Sequence, residues 1–203
     1  LLYVVVILTA INVMGIPLTT ILTLVASAGV AISLAMQGAL SNFVGGMTLL
    51  ILKPIKVGDY VKVGDLEGTV QTIGTFYTEL TTPDNRHISL PNDNLTDTAI
   101  VNYTREGKRR MDISFSVSYD SDIDHTKETL MEVVKMTGGI LDTPAPMVKL
   151  TACGDNSMTF MIRVWCSSSD YWEVNWNLLE NGKRMLDQEG IVIPYPQMDV
   201  HMK

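Results

Sequence analysis

The hydrophobic pattern divides the chain into a long apolar segment and a mixed segment. No Asp, Glu, Lys, Arg or His occurs before Lys53, so the first 52 residues hold none of the charges that give the chain its net charge of −7. A charged side chain costs about 3 kcal/mol at the centre of a membrane helix. The pattern therefore predicts a membrane-embedded first quarter followed by a water-soluble part.

The apolar segment predicts two helices separated by a turn. Residues 1–14 are rich in Val and Ile. We interpret them as the end of a transmembrane helix, with further membrane segments expected upstream of Leu1. Gly15 and Pro17 then provide a turn and a helix start, so that the second helix covers residues 17–52.

This second helix is too long for a single straight crossing. It would measure about 54 Å, whereas the hydrocarbon of a bilayer is about 30 Å thick. Glycine weakens a helix by up to about 1 kcal/mol. We therefore expect a kinked helix with a break near Gly38 and a second flexible hinge point at Gly45 and Gly46. The residues after the break fit a helix in the membrane interface better than another crossing.

One face of the second helix is polar at both ends and apolar in the middle. At about 100° per residue, a narrow stripe contains Thr23, Ser27, Val30, Leu34, Gln37 and Ser41. Hydroxyl and amide groups are better placed around a water-filled axis than against lipid. The stripe therefore predicts a pore-lining helix in which Val30 and Leu34 form an apolar constriction that can close by dewetting.

Small residues flank this stripe on both sides and are suited to close helix packing. They are Ala26, Gly29 and Ser33 on one flank, and Ala28, Ala31 and Ala35 on the other. A helix with two such flanks can sit between two copies of itself, which predicts a multi-subunit ring. The alternative is a generic membrane helix whose small residues pack against other helices of the same chain.

Short strands replace the helical pattern after Lys53. Strands are predicted at residues 60–63, 68–73, 75–81, 87–90 and 99–103, with a turn at 91–94. They indicate a small β barrel or sandwich over residues 53–104, and we expect an Sm-like barrel. Residues 105–203 follow with strands at 111–118, 147–152 and 157–166, helices at 122–136 and 170–188, and a last strand near Val192. The order βαββαβ indicates an α+β, ferredoxin-like domain.

The basic residues favour a cytoplasmic location for this soluble part. Lys53 and Lys56 directly follow the apolar segment, and positive residues favour the cytoplasmic side of a membrane. Cys153 and Cys166 lack paired Cys or His spacing, so both are predicted to be core thiols rather than a disulfide or a zinc site. We expect a multi-pass protein of an inner or plasma membrane with a cytoplasmic C-terminal domain.

No motif indicates catalysis, a metal site or a cofactor. Asp120, Asp122 and Asp124 have the spacing of a calcium loop, but the Gly and Glu that such a loop needs later are absent. We therefore expect Ser121 or Asp122 to cap a helix. Five basic residues are expected to meet anionic lipid head groups: Lys53, Lys56, Lys108, Arg109 and Arg110.

Several segments resemble the small-conductance mechanosensitive (MscS) channel family. The resemblance rests on LAMQGALSNFVGG at residues 34–46, LKPIKVGDYVKVGDLEGTVQTIG at 52–74 and PYPQMDV at 194–200. It implies a ring of seven identical subunits, packed and kinked pore helices, and a hollow cytoplasmic vestibule with side portals. It also implies that Val30 and Leu34 form the constriction and that Gln37, Gly38 and Gly46 form the hinge positions.

The pattern and the resemblance together predict a mechanosensitive ion channel. Membrane tension would open it, and it would release ions and small solutes on hypo-osmotic shock. The expected partners are the lipid bilayer and further copies of the chain, as a homoheptamer, with no nucleic acid. Two alternatives stay open: a membrane-anchored nucleic-acid-binding module, because small β barrels can bind RNA, and a non-conducting scaffold. The acidic soluble part argues against the first of these.

Overall fold

The computed structural model describes residues 3, 6, 9, 10, 13–15 and 17–198, and the chain forms two units, 1–101 and 102–203. The predicted transmembrane-helix end at 1–14 lies mostly outside the described residues. The division falls between Val101 and Asn102, slightly before the predicted boundary at 104–105. Unit 1 contains the long helix and the first sheet, and unit 2 contains the α+β part.

Unit 1 begins with one long helix, α1 (Leu18–Leu52), preceded by Pro17 in an extended conformation. Lys53 ends the helix in the left-handed conformation. The helix passes through Gly38 without interruption, so the predicted break near Gly38 is wrong for this structure. The physical reason is that glycine keeps its N–H and lowers helix propensity by only about 1 kcal/mol, whereas a proline would remove a backbone hydrogen bond.

The two ends of α1 have different surroundings. The helix is long and apolar enough to cross a membrane, and none of its most apolar window is buried. Its buried residues come only in the last two turns, at Gly45, Gly46 and Leu49. From Leu18 to Val44 no residue of α1 is buried.

Five strands and a short helix complete unit 1. They are β1 (Tyr60–Val63), β2 (Leu66–Ile73), β3 (Tyr77–Thr81), β4 (His87–Pro91), α2 (Asn92–Asp97) and β5 (Ile100–Asn102). The antiparallel sheet has the order β4-β3-β2-β1-β5. The predicted turn at 91–94 is wrong, because these residues begin α2. Pro91 has a φ of −57°, and Asp93 in the first turn favours the positive end of a helix.

A small apolar core joins the end of α1 to the sheet. It consists of Leu49, Ile55, Val61, Val63, Val70, Leu80, Leu90 and Leu95. Leu49 belongs to α1 and is 1% exposed. Burial of one such leucine stabilises a fold by about 1.5–3 kcal/mol, so the sheet holds the last turns of α1 in place.

Unit 2 has a three-stranded antiparallel sheet and two helices. Its elements are β6 (Lys108–Val117), α3 (Ile123–Met136), β7 (Met147–Cys153), β8 (Met158–Ser167) and α4 (Tyr171–Gln188), and the strand order is β6-β8-β7. The predicted last strand near Val192 is wrong: over residues 189–198 the chain forms no strand. Ser118 N donates to Val192 O at 2.8 Å, but Pro194 and Pro196 follow and cannot donate to a ladder.

The core of unit 2 lies between its sheet and its helices. Alternate residues of β8 are buried from Met158 to Cys166, and Gly182 of α4 lies so close to Phe115 that an added Cβ would be 2.7 Å from Phe115 Cε1. The core-thiol prediction is correct for Cys166, where burial raises the pKa of the thiol. It is wrong for Cys153, which is exposed.

Candidate pore-lining surface

The six residues of the predicted stripe lie on one face of α1, and all of them are exposed in the single chain. The Thr23 hydroxyl donates to Thr19 O at 2.8 Å, and the Ser27 hydroxyl donates to Thr23 O at 2.8 Å. Both donors are therefore satisfied inside the helix, while the hydroxyl oxygens can still accept hydrogen bonds from water. Water can therefore contact this end of the stripe without leaving a hydroxyl donor unpaired.

Val30 and Leu34 form the apolar centre of the stripe. Their exposed fractions are 61% and 68%. Nothing in the described part of the chain covers either side chain. Bulky apolar groups at these positions could narrow a shared opening when several copies of α1 surround one axis.

The small residues beside the stripe are also uncovered. All six are exposed, and a Cβ added at Gly29 would meet no atom within 4 Å. Side chains this small let two helix backbones approach closely. The flanks are therefore open to neighbouring helices, and no helix among the described residues buries them.

The three predicted hinge glycines have two different environments. A Cβ added at Gly38 would meet nothing within 4 Å. A Cβ added at Gly46 would overlap the Thr75 carbonyl oxygen and lie 2.5 Å from Asn92 Nδ2, and one added at Gly45 would lie 3.0 Å from the Asn92 carbonyl. Gly45 and Gly46 are thus required for close packing of α1 on the sheet. A hinge remains a prediction.

A side-chain hydrogen bond that the sequence did not indicate attaches α1 to α2. Asn42 Oδ1 accepts the backbone N–H of Asp93 at 3.1 Å, and Asn42 Nδ2 donates to Gly38 O at 2.9 Å. The amide satisfies one of the free N–H groups at the start of α2. Asn42 therefore connects the face of α1 next to the stripe to the β domain.

Asn92 is the buried centre of the same attachment. It is 0% exposed. Its Nδ2 donates to Gly74 O at 3.0 Å, its Oδ1 accepts from the Thr78 hydroxyl at 2.8 Å, and its backbone N donates to Phe76 O at 2.9 Å. A buried amide is stable only when its groups are paired in this way. The network fixes the surface on which Gly46 packs.

An aromatic contact lies beside this network. The rings of Phe43 in α1 and Phe76 have centroids 6.1 Å apart at 48°, a separation at which aromatic pairs attract. The sequence signal for the whole attachment was weak, because its partners are far apart in the chain: Asn42 and Asp93 are separated by 51 residues.

The basic residues divide into two groups. Lys53 and Lys56 are exposed and line a groove with apolar residues such as Leu50 and Ile55, which fits the expected contact with lipid head groups. In unit 2, by contrast, the Arg109 guanidinium lies 3.6 Å from the Tyr171 ring centroid.

The other two basic residues of unit 2 also have partners within it. Lys108 lies over the Trp165 ring at 5.7 Å, and Arg110 Nε is 3.2 Å from Asp112 Oδ1. The expectation of lipid contact is therefore not supported for Lys108, Arg109 and Arg110.

Asp112 carries the clearest electrostatic interaction in unit 2. Arg163 Nε and Nη2 donate to its two carboxylate oxygens at 2.9 Å each. These hydrogen bonds from Arg163 hold the pKa of Asp112 below its usual value, with a smaller contribution from Arg110. The pair lies across β6 and β8, where Asp112 faces Arg163 in the register.

The acidic segment at 120–124 acts as a helix cap. Asp122 Oδ1 accepts the backbone N–H of His125 at 2.8 Å at the start of α3, which confirms the predicted capping role of Asp122. No group of three or more His, Cys, Asp or Glu that could hold a metal occurs among the described residues.

Three domain families match the chain in succession. They are "Mechanosensitive ion channel, transmembrane helices 2/3" over residues 1–37, "Mechanosensitive ion channel, beta-domain" over 38–105 and "Mechanosensitive ion channel MscS, C-terminal" over 111–193. The chain is also 33% identical to the small-conductance mechanosensitive channel of Helicobacter pylori, over 96% of this chain and 71% of that protein. The chain belongs to the MscS family.

Other relatives of this MscS-family chain agree. It is 43% identical to the small-conductance mechanosensitive channel of Edwardsiella ictaluri over 87% of its own length. It spans 62% of that protein and 66% of an MscS-family protein of Buchnera aphidicola. The comparisons give no support to the nucleic-acid-binding alternative.

Solved structures have the same fold. The closed-state crystal structure of Helicobacter pylori MscS matches with a TM-score of 0.89 at 32% identity, over 98% of this chain and 79% of that one. A cryo-EM structure of Arabidopsis thaliana MSL1 matches with a TM-score of 0.77 at 20% identity, over 96% and 73% of the two chains. The second likeness concerns the fold alone.

Proposed function

We propose that this chain forms the pore of a homo-oligomeric channel that membrane tension opens, releasing ions and small solutes on hypo-osmotic shock. One observation carries the proposal: α1 is free of charge and exposed along its first part, and its stripe is polar, then apolar, then polar. A monomer leaves this surface without partners. A ring of copies with the stripe facing a shared axis accounts for the polar residues, the apolar centre and the small flanks together.

The proposed assembly is a homoheptamer in an inner or plasma membrane. Its relatives are named as mechanosensitive channels, and the family resemblance implies seven subunits. The chain would be part of a multi-pass subunit with the C-terminal domain in the cytoplasm, as Lys53 and Lys56 at the end of α1 favour. The mass of the detergent-solubilised complex tests the stoichiometry: a multiple of seven supports the heptamer, and a monomer contradicts it.

The finer fold assignments belong to the same proposal. The strand order β4-β3-β2-β1-β5 in unit 1 supports an Sm-like barrel, in which the outer strands would close onto each other. The order βαββα in unit 2 supports a relative of the ferredoxin-like fold that lacks its last strand within the described residues. We further propose that residues 17–52 form the pore helix, which is continuous through Gly38 in this structure.

Tension would act on this channel through the difference in membrane area between its closed and open states. A force shifts a two-state equilibrium only by its differential free energy between the states. In the closed state Val30 and Leu34 would leave the constriction too narrow and apolar for water. In the open state the helices would separate and the constriction would fill with water.

Polar substitution of the constriction tests this function in patch recordings. Val30→Ser and Leu34→Ser should each lower the tension needed for opening, because a hydroxyl reduces the cost of wetting the closed constriction. Val25→Ser and Ile32→Ser are matched controls: their exposed fractions are 64% and 60%, and they lie about 180° and 160° from Leu34 around the helix.

The outcome separates the pore from its alternatives. Lower thresholds for the Val30 and Leu34 variants with unchanged thresholds for the controls support the pore. Equal effects at all four positions contradict the assignment of the stripe. Absence of any current from the intact protein under suction contradicts the channel and favours the non-conducting scaffold.

A further inference from the structure

A groove beside the C-terminal half of the stripe is lined by one charged residue, Asp97. The groove has a volume of about 650 Å³, and its lining includes Leu34, Gln37, Ser41, Thr48, Thr96 and Asp97. The first four belong to α1 and the last two to the end of α2. Among the described residues that line the groove, only Asp97 carries a charge.

The α1 residues of this groove continue the predicted stripe. Gln37, Ser41 and Thr48 lie within about 60° of Leu34 around the helix, and the helix is unbroken to Leu52. The stripe therefore leads from its apolar centre toward Asp97. If the stripe faces the pore axis, Asp97 lies beside the path that an ion takes below the constriction.

The carboxylate of Asp97 is available to ions. Its side chain is exposed, and within the described part of the chain it has neither a hydrogen-bond partner nor an ion-pair partner. Asp93, at the other end of α2, differs because its carboxylate accepts the N–H of Asn94 at 2.9 Å. Asp97 thus presents an acceptor-only carboxylate to the groove.

We propose that Asp97 makes the pore favour cations over anions, by forming an acidic ring below the constriction. This inference rests on the proposed function, since only a ring of copies with the stripe facing inward brings the Asp97 side chains around one opening. Rings of Asp or Glu are a known basis of cation selectivity, and a narrow opening lined by one sign of charge concentrates counter-ions.

The rest of the path makes the effect of Asp97 measurable. α1 supplies no charge anywhere along its length, and the stripe residues near the groove are a neutral amide and hydroxyls. No other fixed charge of α1 competes with Asp97 along this part of the path. One substitution should therefore change the selectivity of the pore without changing its width.

The test is the reversal potential of the intact channel in liposome patches under a KCl gradient. The unmutated channel should prefer K⁺ to Cl⁻. D97N should lower the K⁺/Cl⁻ permeability ratio by roughly threefold or more, and D97K should turn the preference toward Cl⁻. D65N is the matched control: it removes the same charge from the exposed β1–β2 turn, outside the groove, and should leave the ratio unchanged.

A cysteine variant keeps the test independent of folding differences. In a C153S background, which removes the exposed native thiol, D97C can be modified on the assembled channel with a negative or a positive methanethiosulfonate. The negative reagent should restore cation preference and the positive one should abolish it.

Two results would overturn the inference in distinguishable ways. Normal currents with the same reversal potential in D97N, D65N and unmutated channels, and no response of D97C to the sign of the reagent, overturn the role of Asp97 while leaving the channel intact. No current from the unmutated protein overturns the proposed function and this inference with it.

Discussion

The two parts of α1 have similar compositions but different surroundings. From Leu18 to Val44 the helix buries no residue, whereas its last two turns bury Gly45, Gly46 and Leu49. Both parts are apolar and free of charge. The last turns pack against the sheet of unit 1, whereas no residue of the first part is buried within the described part of the chain.

This difference shows how one helix can serve two purposes. The last turns pack closely on the β domain through Gly45, Gly46 and Leu49, and Asn42, just before them, bonds to the start of α2. In the proposed channel, the first part would change its neighbours when membrane tension changes. The proposed function needs both parts, because a pore wall that moves would have to be anchored to a domain that does not move with it.

The largest expected effect comes from filling the space that the last turns need. G46V should destabilise unit 1 by about 3 kcal/mol, since overpacking is costly and an added Cβ would already overlap the Thr75 carbonyl oxygen and lie 2.5 Å from Asn92 Nδ2. Circular dichroism of the purified protein should show a clearly lower thermal midpoint for the helix.

The matched variant for G46V is G38V. A side chain at Gly38 meets nothing within 4 Å in the single chain, and valine is a better helix former than glycine, so its thermal midpoint should not fall. Equal destabilisation by the two variants would show that the two parts of α1 do not differ in packing.

A smaller effect is expected from removing the Asn42 amide. N42A leaves the Asp93 N–H without its partner, which costs about 1 kcal/mol and should reduce hydrogen-exchange protection of that amide about fivefold. T48A is the control, because the Thr48 hydroxyl bonds to Val44 O at 2.9 Å inside α1. Unchanged protection of Asp93 in N42A would mean that this bond does not hold α1 to α2.

The smallest effect is expected in unit 2, at the pair formed by Asp112 and Arg163. Asp112 has a lowered pKa in the folded protein because Arg163 bonds to it. Its contribution is therefore present above the unfolded pKa of about 3.9 and lost as the pH falls through the folded pKa. D112N should cost at most about 1 kcal/mol near neutral pH, because the pair is partly exposed.

The acid response separates this pair from general unfolding. All three tryptophans, Trp165, Trp172 and Trp176, lie in unit 2, so tryptophan fluorescence of the intact protein reports on unit 2. Stability of D112N should fall less than that of the unmutated protein between pH 6 and pH 3. An equal fall in both would show that the Asp112–Arg163 pair is not stabilising.

Local pattern was sufficient for most elements of the fold. Alternating residues placed β1 at 60–63 as observed, and β8 and α4 differ from their predictions only at the ends. The pattern failed where a single hydrogen bond or a single glycine decides the outcome. Val192 accepts one backbone hydrogen bond from Ser118, but the two prolines that follow cannot donate to a strand ladder. Gly38 is compatible with a continuous helix, so its presence alone did not decide between a helix and a break.

The stripe on α1 followed from helical periodicity, but the attachment of α1 did not. Gly45 and Gly46 were expected to be hinge points, because glycine in a sequence shows freedom without showing its neighbours. Glycine is needed at these positions because Thr75 and Asn92, which are distant in the chain, pack closely against them. The free carboxylate of Asp97 was likewise invisible until α2 placed it in the groove with the stripe.

The most direct test of the central claim is a cysteine scan along α1 in the assembled, membrane-inserted protein lacking Cys153. Reaction with a charged, water-soluble thiol reagent should peak at positions 23, 27, 37 and 41, appear at 30 and 34 when the channel is held open, and be lowest at 25 and 32. A maximum at positions 25 and 32, or the same rate at every position, would contradict a pore lined by this face.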